Sequence, residues 1–529
     1  MKGLILAVEI LALSLSPVLG MAASTGGRGA ATNPIIWADV PDPSVIRVGK
    51  TYYMSSTTMH MSPGVPIMES RDLVNWRIDS YAYDTLGDND ALTLRNGKNA
   101  YGAGSWASSL RYHDGVFYVS TFSSTTGKTH VFSTRDIRRG PWKSASFSPA
   151  LHDHSLFFDD DGRVYMVHGA GSVRLTELTS DASAIKPGGL DQVIIRNASL
   201  TAGPNVGLPA EGSRMSKING KYYLFMITWP RGGMRTELVF RSDSLTGPYE
   251  GRVALQDQGV AQGGLIDTPH GDWYALLFQD HGAVGRVPFL VPVKWEDGWP
   301  VLGVDGKAPA SLDLPAQAKA APEIVASDEF NRRPGQRAIP LVWQWNHNPD
   351  NRYWSVTDRP GHLRLTTGRI DTDFLSARNT LTQRTFGPEC SGTVAMDVSG
   401  MKDGDCAGLG LLQRKYGFVG VKMAENARPI VMVSAGSGAP EEAQSVPMSQ
   451  RVVYLKAECD FRNRTDKAYF YYSMDGRRWT AIGKPLQMVY TIPQFMGYRF
   501  ALFNYATKSP GGWVDFDYFR LSPRLSGAG

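Results

Sequence analysis

LRYHDGVFYVSTF, residues 110–122, is the stretch on which the fold turns. Two short apolar runs flank Asp114–Gly115, and Asp-Gly between such runs is among the strongest hairpin signals available to a sequence. The pattern recurs in PDPSVIRVGKTYY (41–53), LFFDDDGRVYMVHG (156–169), SKINGKYYLFMIT (216–228) and LIDTPHGDWYALLF (265–278). Each has an apolar strand, a turn with glycine, an intervening residue, an apolar or aromatic residue, then tyrosine. The turn glycines are Gly49, Gly115, Gly162, Gly220 and Gly271, 47 to 66 residues apart. A second motif follows some units: ESRDLVNW (69–76), STRDIRRGPW (133–142) and RSDSLTGPY (241–249). Repeats of this length with several strands and almost no helical periodicity mark a β-propeller, and five units imply five blades.

In such a blade the first strand lies innermost, so residues just ahead of it converge at one end of the axis. Counting nine residues back from the glycine reaches Trp106, Asp153, Glu211 and Gln262; in the first unit, with its shorter turn, seven residues reach Asp42. An isolated acid is ordinarily a solvated group or a cap. Three acids at one place in a ring repel one another, and burying them together is tolerated mainly at functional sites, where their pKa values separate. Two carboxylates flanking a bond are the minimal machinery of glycoside hydrolysis, one as acid and one ionised. A third tunes the acid, and a tryptophan and a glutamine on the same rim suit a sugar ring. A metal site is the competing reading of an acid cluster, but no His or Cys is spaced to join these acids.

The blade-start motifs NPIIWADVPDPSVIRVGKTYY, GSWASSLRYHDGVFYV, HDHSLFFDDDGRVY and LPAEGSRMSKINGKYY resemble those of glycoside hydrolase family 43, the five-bladed family of β-xylosidases, α-L-arabinofuranosidases and arabinanases. The resemblance implies Asp42 as general base, Asp153 as the modulator of the acid's pKa and Glu211 as general acid. It also implies inversion, with a water between base and acid carboxyls about 6.5–9.5 Å apart. Trp106–Ala107–Ser108–Ser109 and Gly212–Ser213 after Glu211 depart from the usual motifs without removing an acid. His60 is expected to line the pocket and Arg286 to stand beside the sugar. His281 is expected at the propeller centre near a water or Ca²⁺. Asp39 is a decoy outside the register, and strand alternation points His152 and His154 away from the funnel.

The remaining features set the domain plan. Met1–Ala22 reads as an export signal, Lys2 followed by an apolar core and a small-x-small site, which predicts a periplasmic or extracellular enzyme. No other window approaches a membrane span. The propeller spans 33–303, an Ala- and Pro-rich linker 304–323, and a β-sandwich 324–525 whose short alternating strands match the concanavalin A-like jelly roll of one branch of the family. Its ends, Asp328–Phe330 and Val514–Phe519, are expected to pair, with a structural Ca²⁺ between Asp328 and Asp517 as one option. No cofactor is expected for catalysis. Cys390, Cys406 and Cys459 allow at most one disulfide. A net charge of +5 without a basic run speaks against nucleic acid. Together with the three acids, the resemblance implies an exo-acting enzyme that removes terminal β-D-xylosyl or α-L-arabinofuranosyl units from hemicellulose oligosaccharides. A non-catalytic sugar-binding propeller is the alternative.

Overall fold

The computed structural model describes residues 31–526 apart from 315–318, 320, 426 and 437. Met1–Ala22, read as an export signal, lies outside the described residues. Five antiparallel four-stranded sheets follow one another along the chain. Blade I holds Ser44–Val48, Thr51–Ser55, Gly64–Ser70 and Arg77–Tyr83. Blades II to V begin with Ser109–His113, Ser155–Phe158, Val206–Ile218 and Ala261–Asp267. The first strands of neighbouring blades touch around the ring, which makes them the innermost strands. The hairpins form where the turn chemistry places them. Asp114–Gly115 and Asn219–Gly220 both have positive φ at their two central residues, +47° and +77°, +50° and +79°, the geometry that matches strand twist in a two-residue turn.

A serine relay locks the ring and sets its register. Ser44 Oγ accepts the Leu110 N–H, Ser109 Oγ accepts Leu156 N–H and Ser155 Oγ accepts Met215 N–H, each at 3.0 Å. Blade IV puts Arg214, the residue before Met215, at the serine position. The equivalent residues two places earlier are therefore Asp42, Ala107, Asp153 and Gly212. Blade V adds Gln262 by its strand register, since Gly264 pairs with Leu276 as Arg214 pairs with Phe225. Counting from the glycines thus put Trp106 and Glu211 one residue too early. The hairpin loops differ in length, two residues in blades I, II and IV but five in III and V, so the glycine is not a fixed origin.

Each blade is continuous in sequence, so closure falls to other contacts. Ala31–Thr32 pairs with Ser311–Leu312, and Ile35 and Val40 donate backbone hydrogen bonds to the carbonyls of Pro288 and Arg286 in blade V. Arg47 of blade I meets Asp267 of blade V. The segment read as a linker thus helps close the ring.

The C-terminal half is a sandwich of two antiparallel sheets, and Asp328 and Phe519 exchange two backbone bonds of 2.8 Å as their pairing requires. The Asp328 carboxylate, one side of the optional Ca²⁺ site, is taken up by protein donors. It accepts from Arg332 at 2.9 and 2.6 Å, from the Phe330 N–H and from the Trp343 indole, while Asp517 is exposed and 3.9 Å from His362. The three cysteines are free and buried. Among the described residues no helix is long and apolar enough to cross a membrane. One sandwich sheet ends in a propeller strand: Met61–Ser62 pairs with Gln344–Asn346. Hydrogen bonds from Tyr81, Gln344, Asn346 and Arg384 cross the same seam, and the two halves form one interlocked unit.

Candidate active site

At the layer defined by the serine relay the backbone is left-handed at every position but Ala107: φ is +53° at Asp42, +45° at Asp153, +71° at Gly212 and +56° at Gln262. Non-glycine residues in that region carry strain that surrounding structure must hold, and such positions cluster at functional sites. The glycine at 212 has a steric reason as well, because a Cβ there would meet the Gln262 side chain at 2.8 Å. Gln262 is itself pinned, its N–H donating to Glu237 Oε2 at 2.6 Å. Burial raises Glu237 well above the ordinary carboxylate range.

Asp42 is 3% exposed. One oxygen accepts from Arg286 Nη1 at 2.6 Å and the other from the Thr57 hydroxyl. The guanidinium of Arg286 is held in turn by stacking on Phe278 and on Phe495 of the sandwich, 5.2 and 5.6 Å from the ring centroids. A planar, permanently charged group lying over two aromatic rings suits the task of orienting a carboxylate. Arg214 crosses from blade IV and donates to the Asp42 carbonyl at 3.1 Å.

Asp153 is buried, and its pKa rises to about 7. Burial is the main cause; Glu211 and Asp42 add to it, while His152 and Arg214 oppose it. Across the seam between blades III and IV, Glu211 Oε2 lies 2.9 Å from His152 Nε2. His152, Asp153 and Glu211 offer ligand-type atoms within 4.8 Å of one another, the one such group among the described residues. Burial would lower the imidazole's pKa, yet the bond to Glu211 and the charges of Asp153 and Glu211 lift it to about 9.

His152 therefore does not point away from the funnel. The alternation rule presumes an extended chain, and the left-handed turn at Asp153 brings its predecessor round to the same side. His154 does turn away, held by the Leu151 carbonyl and the Ser120 hydroxyl. Trp106 occupies the layer of His152 and Glu211 and packs 5.0 Å from Phe495. His60 is 1% exposed, 4.6 and 4.7 Å from the rings of Tyr101 and His347 at the domain seam, and offers no surface to a sugar. The centre of the propeller is filled by arginines: Arg111 reaches Leu156 O and Met215 O, and Arg214 reaches blade I. His281 lies off that axis, bonded to Gln279 at 2.8 Å and edge-on to Trp37. Asp39 accepts the Arg286 N–H at 2.8 Å and the Gly497 N–H at 3.1 Å, stitching blade V to the sandwich.

Beyond Asp42, Asp153 and Glu211, the site contains Thr57, Arg214 and Phe495, which the sequence reading did not single out, and His152, which it turned away from the funnel. Only Arg214 carried a usable signal, its register with Ser44, Ser109 and Ser155. A separate cleft of about 750 Å³ lined by Tyr83, His130, Arg138 and Trp142 holds none of these groups.

Comparison with known proteins agrees with this architecture. Residues 31–300 match the model of glycosyl hydrolases family 43, and residues 327–522 match the β-xylosidase C-terminal concanavalin A-like domain. The chain is 30% identical to a β-xylosidase of Formosa agariphila over 93% of its own length and 90% of the relative's. It is 31% identical to a non-reducing end α-L-arabinofuranosidase of Bacteroides ovatus, over 63% of this chain and 64% of that one. Among solved structures, a bifunctional GH43-CE protein of Bacteroides eggerthii superposes with a TM-score of 0.93 at 63% identity, covering 94% of this chain. This chain spans 64% of that longer protein. A five-bladed propeller with three converging acids, locked to a concanavalin A-like sandwich and matched along both halves, places the chain in glycoside hydrolase family 43.

Proposed function

We propose that the protein is an exo-acting, inverting glycosidase that removes terminal β-D-xylosyl or α-L-arabinofuranosyl residues from hemicellulose oligosaccharides. The observation that carries this reading is the contrast between its two outer carboxylates. Asp42 is held by a buried arginine and a hydroxyl, the environment of a fixed proton acceptor. Glu211, on a blade that is not its neighbour, is 21% exposed at its side chain and bonded to a proton-bearing imidazole. Asp42 takes the proton of a water as that water attacks C1 from one face. Glu211 gives a proton to the departing glycosidic oxygen on the other. Asp153, whose carboxyl interacts in charge with both Glu211 and Asp42, is the group placed to tune the acid. The sandwich supports exo action, since Phe495 packs against Trp106 and Arg286 and narrows that side of the funnel.

The relatives named for β-xylosidase and for α-L-arabinofuranosidase leave both pentoses in the reading. Hydrolysis of aryl β-D-xyloside against aryl α-L-arabinofuranoside decides between them, with Asp42→Ala and Glu211→Ala as controls. NMR of the first-formed anomer tests inversion. Undiminished turnover by Asp42→Ala refutes the assignment, and binding without hydrolysis by the wild type refutes the enzyme. Export is part of the same proposal, and the mass of the mature N-terminus after expression in a secreting host tests it.

A further inference from the structure

We propose that His152 is the positioning and proton-returning partner of Glu211, an imidazole that stores the acid's proton between turnovers and hands it over when a sugar binds. The inference rests on the reading of Glu211 as general acid.

The geometry is that of a relay. His152 Nε2 is 2.9 Å from Glu211 Oε2, and the imidazole is 46% exposed where the carboxyl is 21% exposed, so the ring stands on the solvent side of the acid. Its backbone is fixed by Gly169, whose N–H donates to the His152 carbonyl at 3.0 Å. Its ring meets the edge of Phe122 from blade II at 5.3 Å. Blade IV presents Glu211, and Asp153 adjoins it in sequence. The other titratable neighbours are His154 and His168 of its own blade, which burial keeps neutral, near 3 and 4. Arg214 acts on Asp153 from the channel. The charges facing the ring are thus carboxylates, and the free site holds its proton on the imidazole.

That arrangement alone would leave the acid without its proton. Sugar binding reverses it. A ring entering the funnel displaces water, and a separated imidazolium–carboxylate pair loses more solvation than a neutral imidazole beside a neutral carboxyl. The proton moves from Nε2 to Oε2 along the existing hydrogen bond. Glu211 then donates it to the glycosidic oxygen as the C1–O bond breaks, and the attacking water loses a proton to Asp42. After product leaves, His152 takes one proton from solvent and Asp42 releases one, which balances the cycle.

The test is the pH profile and leaving-group dependence of the full chain carrying His152→Gln, His152→Gly or Glu211→Gln. Glutamine keeps a donor to Glu211 but carries no mobile proton. On a pentosyl disaccharide, His152→Gln is expected to lower kcat about 10- to 100-fold. The alkaline limb should move towards acid by about one pH unit or more, because the pair's last proton is no longer held by the imidazole. The 2,4-dinitrophenyl glycoside, whose leaving group needs no proton, should be cleaved within about 3-fold of wild type, and added imidazole should partly restore His152→Gly. An unmoved alkaline limb with unchanged leaving-group dependence in His152→Gln overturns the relay. Glu211→Gln separates the two readings: if it still cleaves the disaccharide, the acid assignment itself fails; if it cleaves only the dinitrophenyl glycoside, the acid stands and His152 is judged on its own data.

Discussion

Asp39 lies three residues before Asp42, and its removal distinguishes a structural carboxylate from a catalytic one. Its two oxygens accept the Arg286 N–H at 2.8 Å and the Gly497 N–H at 3.1 Å. The site is closely packed: a Cβ on Gly285 would stand 2.2 Å from Asp39 Oδ1, and one on Gly497 2.1 Å from Val284 O. Asp39→Ala leaves the buried Arg286 and Gly497 N–H groups without this acceptor. Two hydrogen bonds to a charged acceptor contribute roughly 1.5–3 kcal/mol each. Burial raises the pKa of Asp39, so dehydration offsets part of that gain, and about 3 kcal/mol is a fair net loss. An unfolding entropy of about 2.1 cal/mol/K per residue over some 500 residues is about 1 kcal/mol/K, so Tm should fall by about 3 °C. Activity should fall further than stability suggests. Freeing the Arg286 backbone lets its guanidinium drift from Asp42, and a displacement of about 1 Å can cost about 100-fold in rate. Differential scanning calorimetry and kcat/KM on an aryl pentoside read both quantities. Were Asp39 the base, the alanine variant would keep its Tm and recover turnover with added azide. That outcome, or wild-type stability with wild-type kcat/KM, refutes the reasoning.

Three further perturbations probe other parts of the site. Arg286→Lys replaces a stacked planar fork with a flexible ammonium and should lower kcat/KM about 100-fold or more on both aryl pentosides, with little change in circular dichroism. Asp153 has its pKa raised to about 7 in the folded protein against an ordinary 3.8. Relative to a neutral side chain, the stability it contributes is full below about pH 4 and is lost as pH rises through 7. Asp153→Asn should therefore gain Tm over wild type between pH 5 and 8, by at most about 4 kcal/mol, or about 4 °C, while losing activity; a constant Tm difference across that range would contradict the shift. Gly102→Ala would set a methyl 1.7 Å from the Pro493 carbonyl at a φ of +67°. The sandwich loop carrying Phe495 must then withdraw, raising KM and lowering Tm, and an unchanged KM would show that this loop does not shape the funnel.

The propeller was legible because its information is local. Asp-Gly and Asn-Gly turns recur in sequence, and each blade is built from consecutive residues, so a repeat in the chain is a repeat in space. What escaped depended on conformation that one-dimensional counting does not contain. Trp106 and Glu211 fell one residue out because hairpin loops of two and five residues separate the glycine from the first strand. The side-chain hydrogen bonds of Ser44, Ser109 and Ser155 are the truer ruler. His152 was missed for a sharper reason: period-two alternation holds only where φ stays extended, and Asp153 at +45° breaks it. The seam was hidden because it joins Met61–Ser62 to Gln344–Asn346 across some 280 residues, and the fully buried glycine-rich strand Asp405–Leu412 shows no alternation at all.

These failures share a cause with the chemistry. A regular strand presents its side chains at fixed intervals to opposite faces, which serves packing but cannot aim neighbouring residues at one substrate. The ring departs from regularity at one layer, with left-handed residues at Asp42, Asp153, Gly212 and Gln262. That layer is where carboxylates of different blades are brought within reach of one another. The strain is held by partners supplied from elsewhere: Arg286 and Thr57 at Asp42, Glu237 at Gln262, and the sandwich behind Asp39 and Phe495. On this account the second domain is part of the active-site scaffold, because the same Arg286 that orients Asp42 is stacked against a sandwich ring and tied by its backbone to an aspartate that also holds the sandwich loop.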